Sequence, residues 1–154
     1  MRVDTPRFGE VDVPEDTILT FPCGIYGFPD VRDCCLFPYQ VGLPLRWLQC
    51  LDDTRVAFLT VEPHAFLPDY EIELAETDAA DLSLERASQA AVITLVTLLH
   101  ESRAVATNLV APIIINMETR RAKQVLLNDD RYRTRHVIIE DWGADNVSLD
   151  QKAR

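Results

Sequence analysis

No stretch of this chain comes near the roughly 18 consecutive apolar residues that mark a membrane-spanning helix. The longest apolar run, Ala90 to Leu99, is broken by Thr94 and Thr97. The N-terminus also lacks the apolar core of a secretory signal, because Met1-Arg2-Val3-Asp4-Thr5-Pro6 is polar and meets a proline first. These absences predict a cytoplasmic protein with no membrane partner.

The groups that carry chemistry are missing as well. Cys23, Cys34, Cys35 and Cys50 contain no C-x-x-C pair for zinc or redox exchange, and each stands among hydrophobes, where a free cysteine acts as a small core residue. His64, His100 and His136 lie far apart, with no second ligand at helical or hairpin spacing. There is no G-x-S-x-G elbow for a serine nucleophile. Gly24-x-x-Gly27 lacks the Lys-Ser/Thr of a phosphate loop and reads as a turn that needs positive φ. Asp52-Asp53 and Asp129-Asp130 are adjacent pairs; on a strand their side chains would point to opposite faces, so they read as turn formers. We therefore expect no catalytic residue, no metal and no cofactor.

What is present is acid, unevenly spread. Net charge is −10, and residues 1–76 hold fourteen acidic and five basic side chains, a balance of −9, against −1 for residues 77–154. Carboxylates gather at Asp69, Glu71, Glu73, Glu76, Asp78 and Asp81, and we take these as one candidate partner-binding surface. Such a field attracts basic proteins and repels nucleic acid over most of the surface. The late basic stretch, Arg120 to Arg135, is interrupted by Asp129 and Asp130 and offers only Tyr132 for stacking, so no direct nucleic-acid binding is expected.

At 154 residues the chain fits one domain, which we place at residues 1–139, with a polar tail over 140–154. It reads as short β-rich segments between turns. Strands are expected over Thr17–Phe21, Cys35–Val41, Arg46–Leu51, Arg55–Val61, Tyr70–Leu74, Gln124–Leu127 and His136–Ile139. Tyr70-Glu71-Ile72-Glu73-Leu74 alternates strictly, as a half-buried strand does. Ala90–Leu99 is rich in β-branched residues and also reads as a strand. Val110–Asn116, around Pro112, suggests an edge or a bulge. One short helix, capped by Asp78 and using Leu82, Leu84 and Ala87, is the exception. Trp47 is expected inside a strand, and Trp142 in a tail that packs back. The fold class is mostly β: a small antiparallel β-barrel or barrel-like sandwich of about eight to ten short strands.

Several segments in order carry a resemblance. They are Phe21-Pro22-x-Gly24-Ile25-x-Gly27-Phe28, Leu48-Gln49-x-Leu51-Asp52-Asp53, Ala57-Phe58-Leu59-x-Val61-x-Pro63 and Pro68-Asp69-Tyr70. Asn108-Leu109-x-Ala111-Pro112-Ile113-x-Ile115-Asn116, Gln124-Val125-x-Leu127 and Tyr132-x-x-Arg135-His136 follow. Together they resemble the flagellar assembly factor FliW family. The resemblance implies a small non-enzymatic regulator that binds CsrA, a basic dimer repressing translation, and also binds flagellin in a chaperone-like way. Within the matching blocks, Phe21, Pro22, Ile25, Phe28, Asn108 and Asn116 join the carboxylates as candidate partner-binding residues. Cys23, Cys34 and Cys35 lie outside the pattern. A β-barrel that holds a small ligand or flavin is the competing reading.

Overall fold

The computed structural model describes residues 1–39 and 44–141. The Gly42-Leu43 turn, Trp142 and almost all of the expected tail lie outside the described residues. What is described forms eleven strands and one short helix: β1 Arg2–Thr5, β2 Gly9–Asp12, β3 Leu19–Thr20, β4 Asp33–Pro38, β5 Leu45–Cys50, β6 Ala57–Val61, α1 Glu76–Asp81, β7 Ala90–Leu99, β8 Ala104–Thr107, β9 Ile113–Asn116, β10 Ala122–Gln124 and β11 His136–Ile139.

Every paired strand is antiparallel to its neighbour. The main path runs β10-β9-β7-β6-β5-β4-β3, and β8 with β11 branches from the second half of β7. This sheet curls into a half-barrel. Its end strands meet at one point, where the Thr20 N–H donates to the Arg120 carbonyl at 2.9 Å. The expectation of a small antiparallel barrel holds.

Period-two alternation explains the two sides. On β5, Leu48 and Cys50 face the concave core with Leu19, Phe21, Ile93, Ile113 and Ile115. Leu45 and Trp47 of the same strand face outward, under Phe8, Phe66, Ile138 and Ile139. Trp47 is buried as expected, with the Arg7 guanidinium 4.0 Å from its ring centre. The β1–β2 hairpin covers Cys35 and Leu51 with Val3 and Val13. A strap from Ile72 to Leu84 covers Ile114 and Val125.

The loop from Pro22 to Val31 closes one end of the barrel. Gly24 and Gly27 adopt φ of +69° and +84°, and a Cβ on Gly24 would sit 2.6 Å from the Pro29 carbonyl oxygen. Only glycine fits there. Gln124 ties the loop to β10 by accepting the Tyr26 N–H at 2.9 Å while donating to the Ala111 carbonyl at 3.1 Å. Asp52 accepts the N–H groups of Arg32 and Asp33, and Asp53 pairs with Arg55, so this doublet forms turns.

Four local expectations need correction. Tyr70–Leu74 keeps its alternation in burial but pairs with no strand; it crosses the sheet as an extended strap, and its Glu71 N–H is bonded by the Tyr132 hydroxyl at 2.8 Å. Asp78 does not cap α1, whose N-cap is Ala75; its carboxylate is taken by Lys123 at 2.7 Å. Pro112 marks no edge, because β9 starts after it and is paired on both sides. Thr17 belongs to a 3-10 turn, Glu15–Thr17, and the β3 ladder covers only Leu19 and Thr20.

The cysteines divide three to one. Cys34 and Cys50 face each other across β4 and β5 with Sγ atoms 3.5 Å apart, and both are fully buried. Their contact, and then burial, pushes the Cys34 thiol far up; burial raises Cys35 to about 11. Cys23 is exposed, contrary to the packing expectation, because it sits on the outside of the end loop. A thiolate-specific reagent at pH 8 should therefore modify one thiol per native chain, lost in Cys23→Ser, and the other three only in denaturant.

Candidate protein-binding site

The strap and the chain after β10 enclose a cleft. Leu74, Val125, Leu126 and Leu127 form its floor, and Glu71, Glu73, Glu76, Asp78 and Asp129 its walls, around a volume of about 450 Å³. Leu126 is 66% exposed, the most open large hydrophobic side chain among the described residues. Its neighbours Val125 and Leu127 turn inward to Ile114. Alternation forces Leu126 outward once those two are buried.

The strap is held by aromatic and hydroxyl contacts. Tyr70 is buried, donates its hydroxyl to the Leu109 carbonyl at 2.6 Å, and meets the Tyr132 ring edge-on at 4.8 Å. Burial, and secondarily Tyr132, pushes the Tyr70 phenol well above its ordinary range, so it remains a donor. His64 contacts the Tyr70 carbonyl at 2.9 Å. Pro68-Asp69-Tyr70 is thus an anchor for the acidic segment.

The carboxylates are not equivalent. Lys123 bonds Asp78 and Asp81, both at 2.7 Å, and those bonds hold its ammonium well above the usual lysine range. Glu71 lies 3.7 Å from Arg131, which is bidentate to Asp129. The Arg131 contacts depress Asp129 below the ordinary carboxylate range. Asp69 is exposed but lies outside the cleft wall. Glu73 and Glu76 line the cleft and meet no basic partner among the described residues. They are its uncompensated charge. Two of the six cations of the basic stretch, Lys123 and Arg131, make these pairings, and Arg121 is bonded to the Asp81 carbonyl at 3.0 Å.

The remaining candidates separate by burial. Phe21 and Ile25 are 0% and 2% exposed, so the reading of them as surface contacts is corrected: they plug the barrel end and have no face to offer. Pro22 is on the surface, and Phe28 is 41% exposed, packed edge-to-face on Phe58 with ring centres 5.0 Å apart. Asn108 is partly buried and accepts the N–H groups of Val110 and Ala111, shaping the swerve between β8 and β9. Asn116 is fully buried, which also corrects its reading as a contact. It donates to the Leu82 and Ser83 carbonyls and accepts the N–H groups of Glu118 and Thr119. One amide thus ties the end of α1 to the β9–β10 turn. Leu126 escaped the sequence reading, because nothing in the text separates it from Val125 and Leu127.

Among the described residues no cluster of three or more His, Cys, Asp or Glu is placed to hold a metal ion. The arrangement suits capture of a protein surface: an apolar strip with charge of one sign beside it. Asn116→Ala should strand four backbone groups and cost about 2–4 kcal/mol in urea unfolding. Asn108→Ala, with partners nearer solvent, should cost about 1 kcal/mol.

The FliW protein family model matches residues 2–138. The flagellar assembly factor FliW of Natranaerobius thermophilus is 37% identical over 144 residues, 93% of this chain and 95% of that protein. That of Treponema pallidum is 33% identical over 141 residues, 92% and 93% of the two chains. A crystal structure of the flagellar assembly factor FliW superposes with a TM-score of 0.81 at 28% identity, covering 90% of this chain and 97% of that one. Sequence along nearly the whole length and the curled antiparallel sheet agree, and the chain belongs to the FliW family.

Proposed function

We propose that this chain is a cytoplasmic flagellar assembly factor that acts by occupying other proteins and catalyses no reaction. In this reading it binds a CsrA-type translational repressor, freeing flagellin message, and binds flagellin as a chaperone-like partner. The observation that carries the proposal is Leu126, 66% exposed on the floor of a cleft whose rim holds the uncompensated Glu73 and Glu76. An exposed aliphatic anchor beside unpaired charge combines the two parts of a protein-binding surface: desolvation for affinity, and field for rate and partner choice.

The repressor is assigned to this cleft on charge. A basic RNA-binding dimer is steered towards a net charge of −10, and the same field discourages RNA from remaining alongside. Pro22 and Phe28, on the end loop, are assigned to flagellin.

Calorimetry with purified CsrA tests the cleft. Glu73→Lys with Glu76→Lys should weaken binding about tenfold or more at low salt, and wild-type affinity should fall as salt rises. Leu126→Ala should weaken binding by a comparable factor that salt leaves nearly unchanged. Binding by all three proteins with equal affinity removes the cleft from the account, and failure of the wild type to bind either partner removes the function.

A further inference from the structure

The strands set one pair of thiols apart. Cys34 and Cys35 are neighbours along β4, so alternation sends them to opposite sides of the sheet: Cys34 into the concave core, Cys35 under the β1–β2 hairpin. Cys50 stands opposite Cys34 in register and lies in the same core, whereas Cys35 stands opposite Gln49. The Cys34 and Cys50 Sγ atoms are 3.5 Å apart, and both side chains are 0% exposed.

The backbone at this pair is of the kind a disulfide can bridge. The Leu51 N–H donates to the Asp33 carbonyl at 2.8 Å, one residue beyond the pair on each strand. The Cys50 N–H points away from β4, to the Val56 carbonyl at 3.0 Å. Cys34 and Cys50 are therefore a non-hydrogen-bonded pair of the antiparallel ladder, for which Cα atoms stand about 4.5 Å apart. That spacing lies at the short end of the roughly 4.4–6.8 Å spanned by disulfides. Drawing the sulfurs from contact to a bond of about 2.05 Å requires side-chain rotation and no change of register.

Access is the remaining condition. Phe21, Ile25 and Val31 of the end loop pack in one cluster with the pair, together with Leu19. The β3 ladder to β4 covers only Leu19 and Thr20 among the described residues. A ladder that short opens at lower cost than the whole fold. While the end is closed, contact with Cys50 and burial keep Cys34 protonated and unreactive.

We propose that Cys34 and Cys50 are a redox-active dithiol: opening of the barrel end admits a small disulfide, and exchange leaves a Cys34–Cys50 bond that locks β4 to β5 beneath the end loop. One cysteine thiolate attacks the small disulfide R–S–S–R, forming a mixed disulfide and releasing the first R–S⁻. The other thiolate attacks the cysteine sulfur of that mixed disulfide and releases the second. The two cysteine protons end on the two R–SH products, and two electrons pass from the cysteines to the reagent. Once the end closes again, the bond is sealed from reductants as the thiols were from oxidants. This chemistry is independent of the acidic cleft.

The test uses the full chain with Cys23→Ser, which removes the exposed thiol, incubated with glutathione disulfide in buffer and in urea just below the unfolding midpoint. Free thiols should fall from three to one and the mass by about 2 Da. Tryptic peptides carrying Cys34 and Cys50 should be joined, fragment spectra should place the bond on Cys34, and Cys35→Ala should leave it intact. The bond should form about tenfold faster or more in the urea. Closing a separation of 16 residues should lower the unfolding equilibrium constant about a hundredfold, reversibly on unfolding with a phosphine reductant. The proposal is overturned if no bond joins these cysteines even after unfolding and refolding in glutathione disulfide. It is equally overturned if the bond maps to Cys35, or if the bridged chain unfolds as readily as the reduced one. An equal rate with and without urea overturns the requirement for opening.

Discussion

Ten residues from Ala90 to Leu99 must serve three neighbours, and the rest of the molecule is arranged by how they do so. The strand gives its first half to β9 and its second half to β8, with β6 on the far edge in the middle. The junction is held by buried hydroxyls: Thr107 Oγ1 lies 2.7 Å from Thr94 Oγ1 and donates to the Leu95 carbonyl at 2.8 Å. Thr94 and Thr107 are 0% and 1% exposed, so these bonds have no competition from water. From that point β9 and β10 curl round to meet Thr20, while β8 and β11 fold over the Trp47 face. On the far edge the β6 ladder stops because Pro63 has no N–H, and the 3-10 turn Pro63–Ala65 takes its place beside the lower part of β7.

Electrostatics is organised across the chain as well. Lys123 with Asp78 and Asp81, and Arg131 with Asp129, pair groups of the second half with one another, and of these contacts only Arg131 with Glu71 reaches the acidic first half. The pairing leaves Glu73 and Glu76 as open charge on the cleft, beside Leu126. A field assembled from what folding fails to neutralise is narrower than the composition suggests, and therefore better able to choose a partner. The fixed segments around it, Tyr70 locked to Leu109 and Asn116 locked to α1, keep the cleft walls in place.

Legibility varied with the physics behind each signal. β-Branched density marked β7 correctly, and glycine chemistry marked the end loop, because both are local steric effects. The alternation of Tyr70–Leu74 was read correctly as one apolar and one acidic face but wrongly as a ladder, since burial on one side does not supply a hydrogen-bonding neighbour. Phe21, Ile25 and Asn116 stood in family-like blocks for structural reasons: plugging a barrel end and satisfying backbone groups. Block membership alone does not separate packing from recognition.

The sequence by itself determined the class of the fold, the absence of the spacing motifs for metal or nucleophile chemistry, the excess of acid, and the family. Composition, periodicity and motif order are properties of the chain and survive without coordinates. Which carboxylates remain unpaired, that Leu126 faces water while its neighbours do not, and that β7 serves three strands at once were decided only by the tertiary structure. Those outcomes depend on which distant segment arrives beside each group, and contact across fifty residues leaves no trace in local sequence.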